Sequence, residues 1–171
     1  MVQHLDYRVI RGLSGGAELR LYPAHWLASI DEPAGLEQAG YLGFRPLVGY
    51  IGGSNDLGQR IAMTAPVLQE DSSAAGYVIS FVLPEGIETA EIPRPRDARI
   101  TVHEKPEHLY AALRFRGSWQ EDRVLQEQQR LLEILRDEGL SVTGPASYAR
   151  YNPPSVPGIF RRNEILIPVA K

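Results

Sequence analysis

Apolar and polar residues alternate along much of the chain, and twice the alternation gives way to a longer period. Residues 7–11 and 17–22 alternate on either side of Gly15-Gly16, the pattern of a β-hairpin, and a further strand is predicted over 26–30 after Pro23. Between 33 and 51 the spacing changes: Leu36, Ala39, Gly40, Phe44, Leu47, Val48 and Ile51 recur at three and four, as on one helix face. Pro33 suits the first turn and Gly52-Gly53 the stop, while Pro46 and the internal glycines predict a kink or a late start. Beyond the loop 52–58, residues 61–69 and 77–83 read as strands joined by a polar turn over 70–76. Residues 84–99, proline-rich and aperiodic, form a long irregular connection. The stretches 99–103 and 108–116 alternate again, as a pair of strands about the turn Glu104-Lys105-Pro106-Glu107. Ser118 followed by Glu121 has the form of a capping box, and Val124, Leu125, Leu131, Leu132 and Leu135 stripe a helix that runs to Gly139. Strands over 147–151 and 164–169 enclose the loop 152–163.

The order strand, strand, helix, strand, strand thus occurs twice, with helix starts near Pro33 and Ser118, about 85 residues apart. Two such units, each a helix over antiparallel strands, predict an α+β architecture whose eight or so strands curl into a distorted β-barrel. The halves, about 1–84 and 99–171, share little sequence and are expected to form one domain over 1–171, with the proline-rich middle as crossover.

Composition narrows the chemistry. The 171 residues contain no cysteine, which excludes disulfides, zinc-cysteine sites, iron-sulfur clusters and a thiol nucleophile. Eighteen basic and 21 acidic residues leave a net charge of −3, so no strong electrostatic footprint for nucleic acid or an anionic membrane is expected. The first residues lack the apolar run of a signal peptide and no window approaches a membrane span, so the expected location is the cytoplasm.

Few motifs carry chemistry by themselves. There is no Gly-x-Ser-x-Gly elbow, and the loop Gly52-Gly53-Ser54-Asn55-Asp56-Leu57-Gly58 lacks the Gly-Lys-Ser/Thr ending of a phosphate loop, so it reads as a tight turn. His4, His25, His103 and His108 show no i, i+4 pairing. His103 and His108 read as surface residues, whereas His25, beside Trp26 at the start of an apolar strand, is either a structural histidine or one facing a pocket. Arg161 and Arg162 precede the last strand. A guanidinium there either receives a ligand carboxylate in a forked pair or is occupied by Glu164 and the loop at Tyr151. Met63, in an alternating segment, is either core packing or a thioether ligand for iron.

Several segments together resemble the SOUL family of heme-binding proteins in order and spacing. They are Tyr7-Arg8-Val9-Ile10; Glu18-Leu19-Arg20-Leu21-Tyr22-Pro23; Phe44-Arg45-Pro46-Leu47, leading to Tyr50-Ile51-Gly52-Gly53-Ser54-Asn55; and Gln59-Arg60-Ile61-Ala62-Met63-Thr64-Ala65-Pro66-Val67. In the second half they are Phe81-Val82-Leu83-Pro84, Arg114-Phe115-Arg116-Gly117, Ala149-Arg150-Tyr151-Asn152-Pro153-Pro154 and Arg161-Arg162-Asn163-Glu164. The resemblance spans nearly the whole chain. It implies a distorted barrel of two four-stranded antiparallel sheets flanked by two helices. It also implies reversible, non-covalent binding of heme or another porphyrin in a shallow apolar cleft beside the first helix. Tyr41, Phe44, Arg45 and Val48 would face that cleft, and a loop contribution would fall near Val156; Met63, through its thioether, is a separate cofactor-binding candidate.

The chain departs from the family's pattern where basic residues meet the propionates, near Gly49 and Val156, which are uncharged here. Arg45 and Arg162 remain as propionate partners. A candidate iron-ligating histidine of one branch falls at Leu21. His25, four residues on, is the metal-ligand candidate in its place if the two positions share a strand face. The expected function is a heme or porphyrin binder acting as carrier, buffer or sensor, held chiefly by apolar packing, without a strong axial ligand and without catalysis of its own. Two other readings are an effector-binding module for bulky apolar ligands and a tetrapyrrole-modifying enzyme, for which Tyr41, His25 and Glu164 are the titratable candidates.

Overall fold

The computed structural model describes residues 2–72, 75–153 and 155–171. Ser73 and Ala74, in the expected polar turn, and Pro154, in one of the quoted segments, lie outside the described residues. Strands β1 (Gln3–His4), β2 (Arg8–Gly12), β3 (Glu18–Tyr22) and β4 (His25–Glu32) precede helix α1 (Leu36–Ile51). Strands β5 (Thr64–Ala65), β6 (Val67–Ser72), β7 (Gly76–Val82), β8 (Thr101–Lys105) and β9 (His108–Arg116) follow, then helix α2 (Glu121–Asp137), β10 (Ser147–Arg150) and β11 (Arg162–Pro168). The class is α+β, with two helices over antiparallel strands, as the pattern predicts. Among the described residues no helix is long and apolar enough to cross a membrane.

The chain divides into two compact units. The first comprises Met1–Leu5 and Ala24–Pro106, the second Asp6–Pro23 and Glu107–Lys171. In the first unit the antiparallel order is β6-β7-β4-β8, with Leu27 opposite Val82 and His25 opposite Lys105. The short β1 and β5 pair in parallel. Helix α1 lies on β4 and β7, and its Leu47 and Tyr50 form a core with Ala28, Ile30, Ile79 and Phe81 of the strands. In the second unit the order is β2-β3-β9-β11-β10, also antiparallel, with α2 on β9 and β11. Val124, Leu131, Ile134 and Leu135 are the buried residues of α2, whereas Leu125 is exposed.

The strand that leads into β4 does not pair with β4. In the first unit β4 takes β8, and in the second β9 takes β3. The registers of the two pairs correspond: shifting Tyr22 and His25 by 83 positions gives Lys105 and His108, and His25 faces Lys105 as Tyr22 faces His108. Strands β8 and β9 are therefore not the hairpin expected about Glu104-Lys105-Pro106-Glu107. Likewise Leu21 and His25 lie on different strands and cannot share a strand face, because the chain leaves β3 at Tyr22 and starts β4 after Pro23-Ala24.

Three local expectations change for physical reasons. Helix α1 starts at Leu36, after a backbone turn in which Ala34 N–H donates to the Glu32 carbonyl, so Pro33 precedes it. The expected strand over 61–69 begins only at Thr64 and is interrupted at Pro66, which has no N–H to donate to a ladder, so Met63 lies outside it. Helix α2 is capped at Gln120 with no side-chain cap bond, so Ser118 forms no capping box. The intervening Trp119 ring is stacked on Phe115 at 6.5 Å and set edge-on to Tyr148 at 6.1 Å, which keeps residues 118–120 outside the helix.

Candidate functional site

Helix α1 is poor in helix propensity and well fitted to its place. A Cβ on Gly43 would come 2.6 Å from Ile79 Cγ1, so only glycine lets the helix lie this close to β7. Pro46 donates no hydrogen bond to the Leu42 carbonyl, on the exposed side where water can serve that acceptor. The helix ends in the loop 52–58, which closes around Asn55. Its buried side-chain amide donates to the Tyr50 and Gln59 carbonyls at 3.0 and 2.8 Å and accepts from the Leu57 and Gln59 N–H groups at 3.2 and 3.0 Å. These bonds make it the tight turn expected.

With one face of α1 committed to the core, the outward flank carries Tyr41, Phe44 and Val48, which are 80%, 40% and 39% exposed. At i, i+3 and i+7 they form one continuous stripe. The Phe44 ring packs edge-on against the buried Phe81 at 5.4 Å, so the middle of the stripe is anchored to the sheet. Arg45 is exposed on the same helix. The sequence thus brings four of its candidates together on one element.

The other candidates sit elsewhere. Met63 is exposed in the segment before β5, and its neighbour Thr64 donates its hydroxyl to the Val82 carbonyl. His25 is half-buried at the start of β4. Among the described residues no group of three His, Asp or Glu side chains is placed to hold a metal ion. Val156 and Arg162 belong to the second unit. Val156 is half-buried, and its carbonyl accepts from Arg161 Nε at 2.7 Å.

The second unit contains a polar cluster whose centre the sequence did not reveal. Arg20 on β3 donates through Nη1 and Nη2 to the two carboxylate oxygens of Glu164 on β11 and through Nη1 to the Tyr22 hydroxyl. Both charges are buried. Arg162 donates through Nη2 to Glu164 Oε2 and to the Tyr7 hydroxyl, each at 3.2 Å. Its guanidinium lies 3.9 Å from the centre of the Tyr151 ring, and that of Arg20 lies 4.0 Å from the centre of the Tyr7 ring. Burial pushes the Glu164 carboxyl toward protonation, but the Arg20 hydrogen bonds and the charges of Arg20 and Arg162 prevail and hold it below the usual range. Burial raises the hydroxyls of Tyr22, to about 12, and of Tyr151. Glu164 is thus the shared anionic partner of Arg20 and Arg162. The signal was present in the pattern: Glu18, Arg20 and Tyr22 share one face of β3, a polar face inside an otherwise apolar strand.

The family model described as SOUL heme-binding protein matches residues 2–168. Heme-binding protein 2 of Homo sapiens is 29% identical over 159 residues, which is 88% of this chain and 77% of that protein. Among solved structures, the C-terminal domain of EcmrR superposes with a TM-score of 0.69 at 14% identity, covering 96% of this chain and 98% of that one. SAV2435 bound to tetraphenylphosphonium superposes with a TM-score of 0.54 at 14% identity, covering 96% and 94%. At these identities the two structures speak for the fold.

Proposed function

The chain belongs to the SOUL heme-binding protein family, and from that premise we propose that it binds heme or another tetrapyrrole reversibly and non-covalently, with the ring against the outward flank of α1. The observation that carries this reading is the exposed stripe Tyr41, Phe44 and Val48, with Phe44 anchored on Phe81. A macrocycle presents two flat apolar faces, and an aromatic and a branched side chain one turn apart on a rigid helix supply a matching platform. With an uncharged Gly49 the apolar contact carries most of the affinity, and Arg45 is the cation on the same helix that would meet a propionate. When bound, heme supplies an iron centre. The role proposed for this chain is to hold and release the ring, as carrier, buffer or sensor, with no catalytic step.

The test is a hemin titration followed at the Soret band. Phe44→Asp and Val48→Asp each weaken binding by at least about tenfold, since each puts a charge where about 1.4 kcal/mol or more of apolar contact is lost. Hemin binding no tighter than to an unrelated protein, or affinity untouched by both changes, overturns the reading.

A second reading takes the same stripe as a site for bulky lipophilic cations. The uncharged position 49 favours it, and the fold it shares with the tetraphenylphosphonium-bound SAV2435 makes that cation the natural probe. Comparing protoporphyrin with tetraphenylphosphonium for thermal stabilisation separates the two.

A further inference from the structure

The polar cluster of the second unit holds more positive than negative charge. Arg20 and Arg162 share the single carboxylate of Glu164, and the pairing is unequal. Arg20 takes both oxygens, 2.9 and 2.8 Å away, while Arg162 reaches only Oε2, 3.2 Å away through one nitrogen. Arg114, half-exposed, adds a third guanidinium with Nε 3.6 Å from the same Oε2. Of the nearby acids, Glu18 is engaged by Arg20 Nε at 2.9 Å. Arg162 therefore has an excess charge, and its Nε is buried with no acceptor among the described residues. Its side chain as a whole is 25% exposed.

Its surroundings fix its direction. The Tyr151 ring covers one face of the guanidinium, and the Asn152 side-chain oxygen accepts from the Arg162 backbone N–H at 2.6 Å. The Tyr7 hydroxyl accepts from Arg162 Nη2, which leaves its own proton to be donated. A clamped guanidinium with unused N–H groups, beside a hydroxyl with an unused proton, matches a planar oxyanion that takes more than one hydrogen bond. We propose that Arg162 and Tyr7 form a subsite for a carboxylate group. It needs only residues of the second unit and does not depend on the ring reading. The carboxylate comes either from a small free acid or from a side chain of a larger ligand.

Two arms of one experiment distinguish these sources. In the first, thermal stability is followed in sodium benzoate against sodium chloride at equal ionic strength. In the second, hemin is compared with its dimethyl ester, which has the same ring and no carboxylate. A benzoate-specific rise in Tm assigns the subsite to free acids. An affinity about tenfold higher for hemin than for the ester, kept in Arg45→Gln and lost in Arg162→Gln, assigns it to the side chain of a larger ligand, whereas a preference lost only in Arg45→Gln overturns that assignment. In either case Arg162→Gln removes the preference, Arg162→Lys restores it in part, and Arg136→Gln on α2 leaves it intact. No preference for the carboxylate in either arm, measured on the unaltered protein, overturns the subsite whatever the variants do. Equal binding of hemin and its ester, with no benzoate effect, would do so while the ring reading stands. Failure of hemin and ester alike removes the ring reading and leaves the benzoate arm to decide the subsite.

Discussion

Arg20 and Glu164, 144 residues apart in the chain, meet in a two-pronged ion pair with both side chains buried. Removing one partner leaves an uncompensated buried charge. Arg20→Met or Glu164→Leu is expected to cost about 3–5 kcal/mol, and the double variant less than the sum of the two. Urea denaturation of the four proteins checks this; strict additivity would show that the two groups do not act as a pair.

The same cluster sets the acid limit of stability. Because the Glu164 carboxyl is held below its ordinary value of 4.5, the folded state binds its proton less readily than the unfolded state. Its contribution is present above that value and is lost as pH falls through the folded one. The alkaline limit has the opposite origin. Burial pushes Tyr22 and Tyr50 up to about 12 from 10.0, so their contribution is complete below pH 10 and is lost as pH rises beyond it. A Tm–pH profile should fall at both ends, and Tyr50→Phe should flatten the alkaline arm.

Gly43→Ala tests the approach of α1 to β7. Alanine gains about 1 kcal/mol in helix propensity. It also drives a methyl group to 2.6 Å from Ile79 Cγ1 and 3.2 Å from Ile30 Cγ2, and overpacking of this kind costs about 1–3 kcal/mol. Net destabilisation is expected in urea denaturation, with partial relief when Ile79→Ala is added. A stabilised Gly43→Ala would mean that the helix can move off the sheet at no cost.

Asn55 serves four hydrogen bonds with one amide, so Asn55→Ala is expected to lower stability by about 2–4 kcal/mol. Asn55→Asp should be worse, although it keeps the acceptor for Leu57 and Gln59 N–H. It turns a second oxygen onto the Tyr50 and Gln59 carbonyls, and acceptors repel. Thermal denaturation of the two variants gives the order.

His25→Ala is expected to leave the Soret position of the ferric hemin complex unchanged. That imidazole is half-buried at the start of β4, and among the described residues no metal-binding group of acids and histidines surrounds it. A shift of the band in the variant would assign His25 to the iron.

The local elements were legible because their periods are local. The alternation of 17–22 and 108–116 and the stripe Val124, Leu131, Leu135 record which side of each element meets apolar surface. Partnership is not written that way. The alternation of β8 and β9 suits pairing with each other as well as with β4 and β3, and nothing in the turn at Pro106 forbids a hairpin. The exposed stripe on α1 was legible for the same reason as a core stripe, since a sequence marks apolar flanks without saying what covers them. Arg20 escaped notice because a charged residue between Leu19 and Leu21 reads as outward-facing. Here its own face of β3 is buried as well, by Glu164 and Tyr22. Ser118 and Glu121 had the right spacing for a cap, but the contacts of Trp119 outweigh a bond typically worth about 1 kcal/mol.

The pairing of β3 with β9 rather than with β4 orders events on the ribosome. Residues 6–23 leave the exit tunnel before residues 24–106, yet the strands beside them, β9 and β11, are synthesised only after that stretch. The intervening stretch 24–106 holds nearly all of the first unit and can close as soon as it has emerged, whereas the hairpin before it stays uncovered, with Arg20 lacking its carboxylate, until Glu164 has been made. Nascent chains stalled before residue 164 should therefore carry a protease-resistant middle and a cleavable beginning.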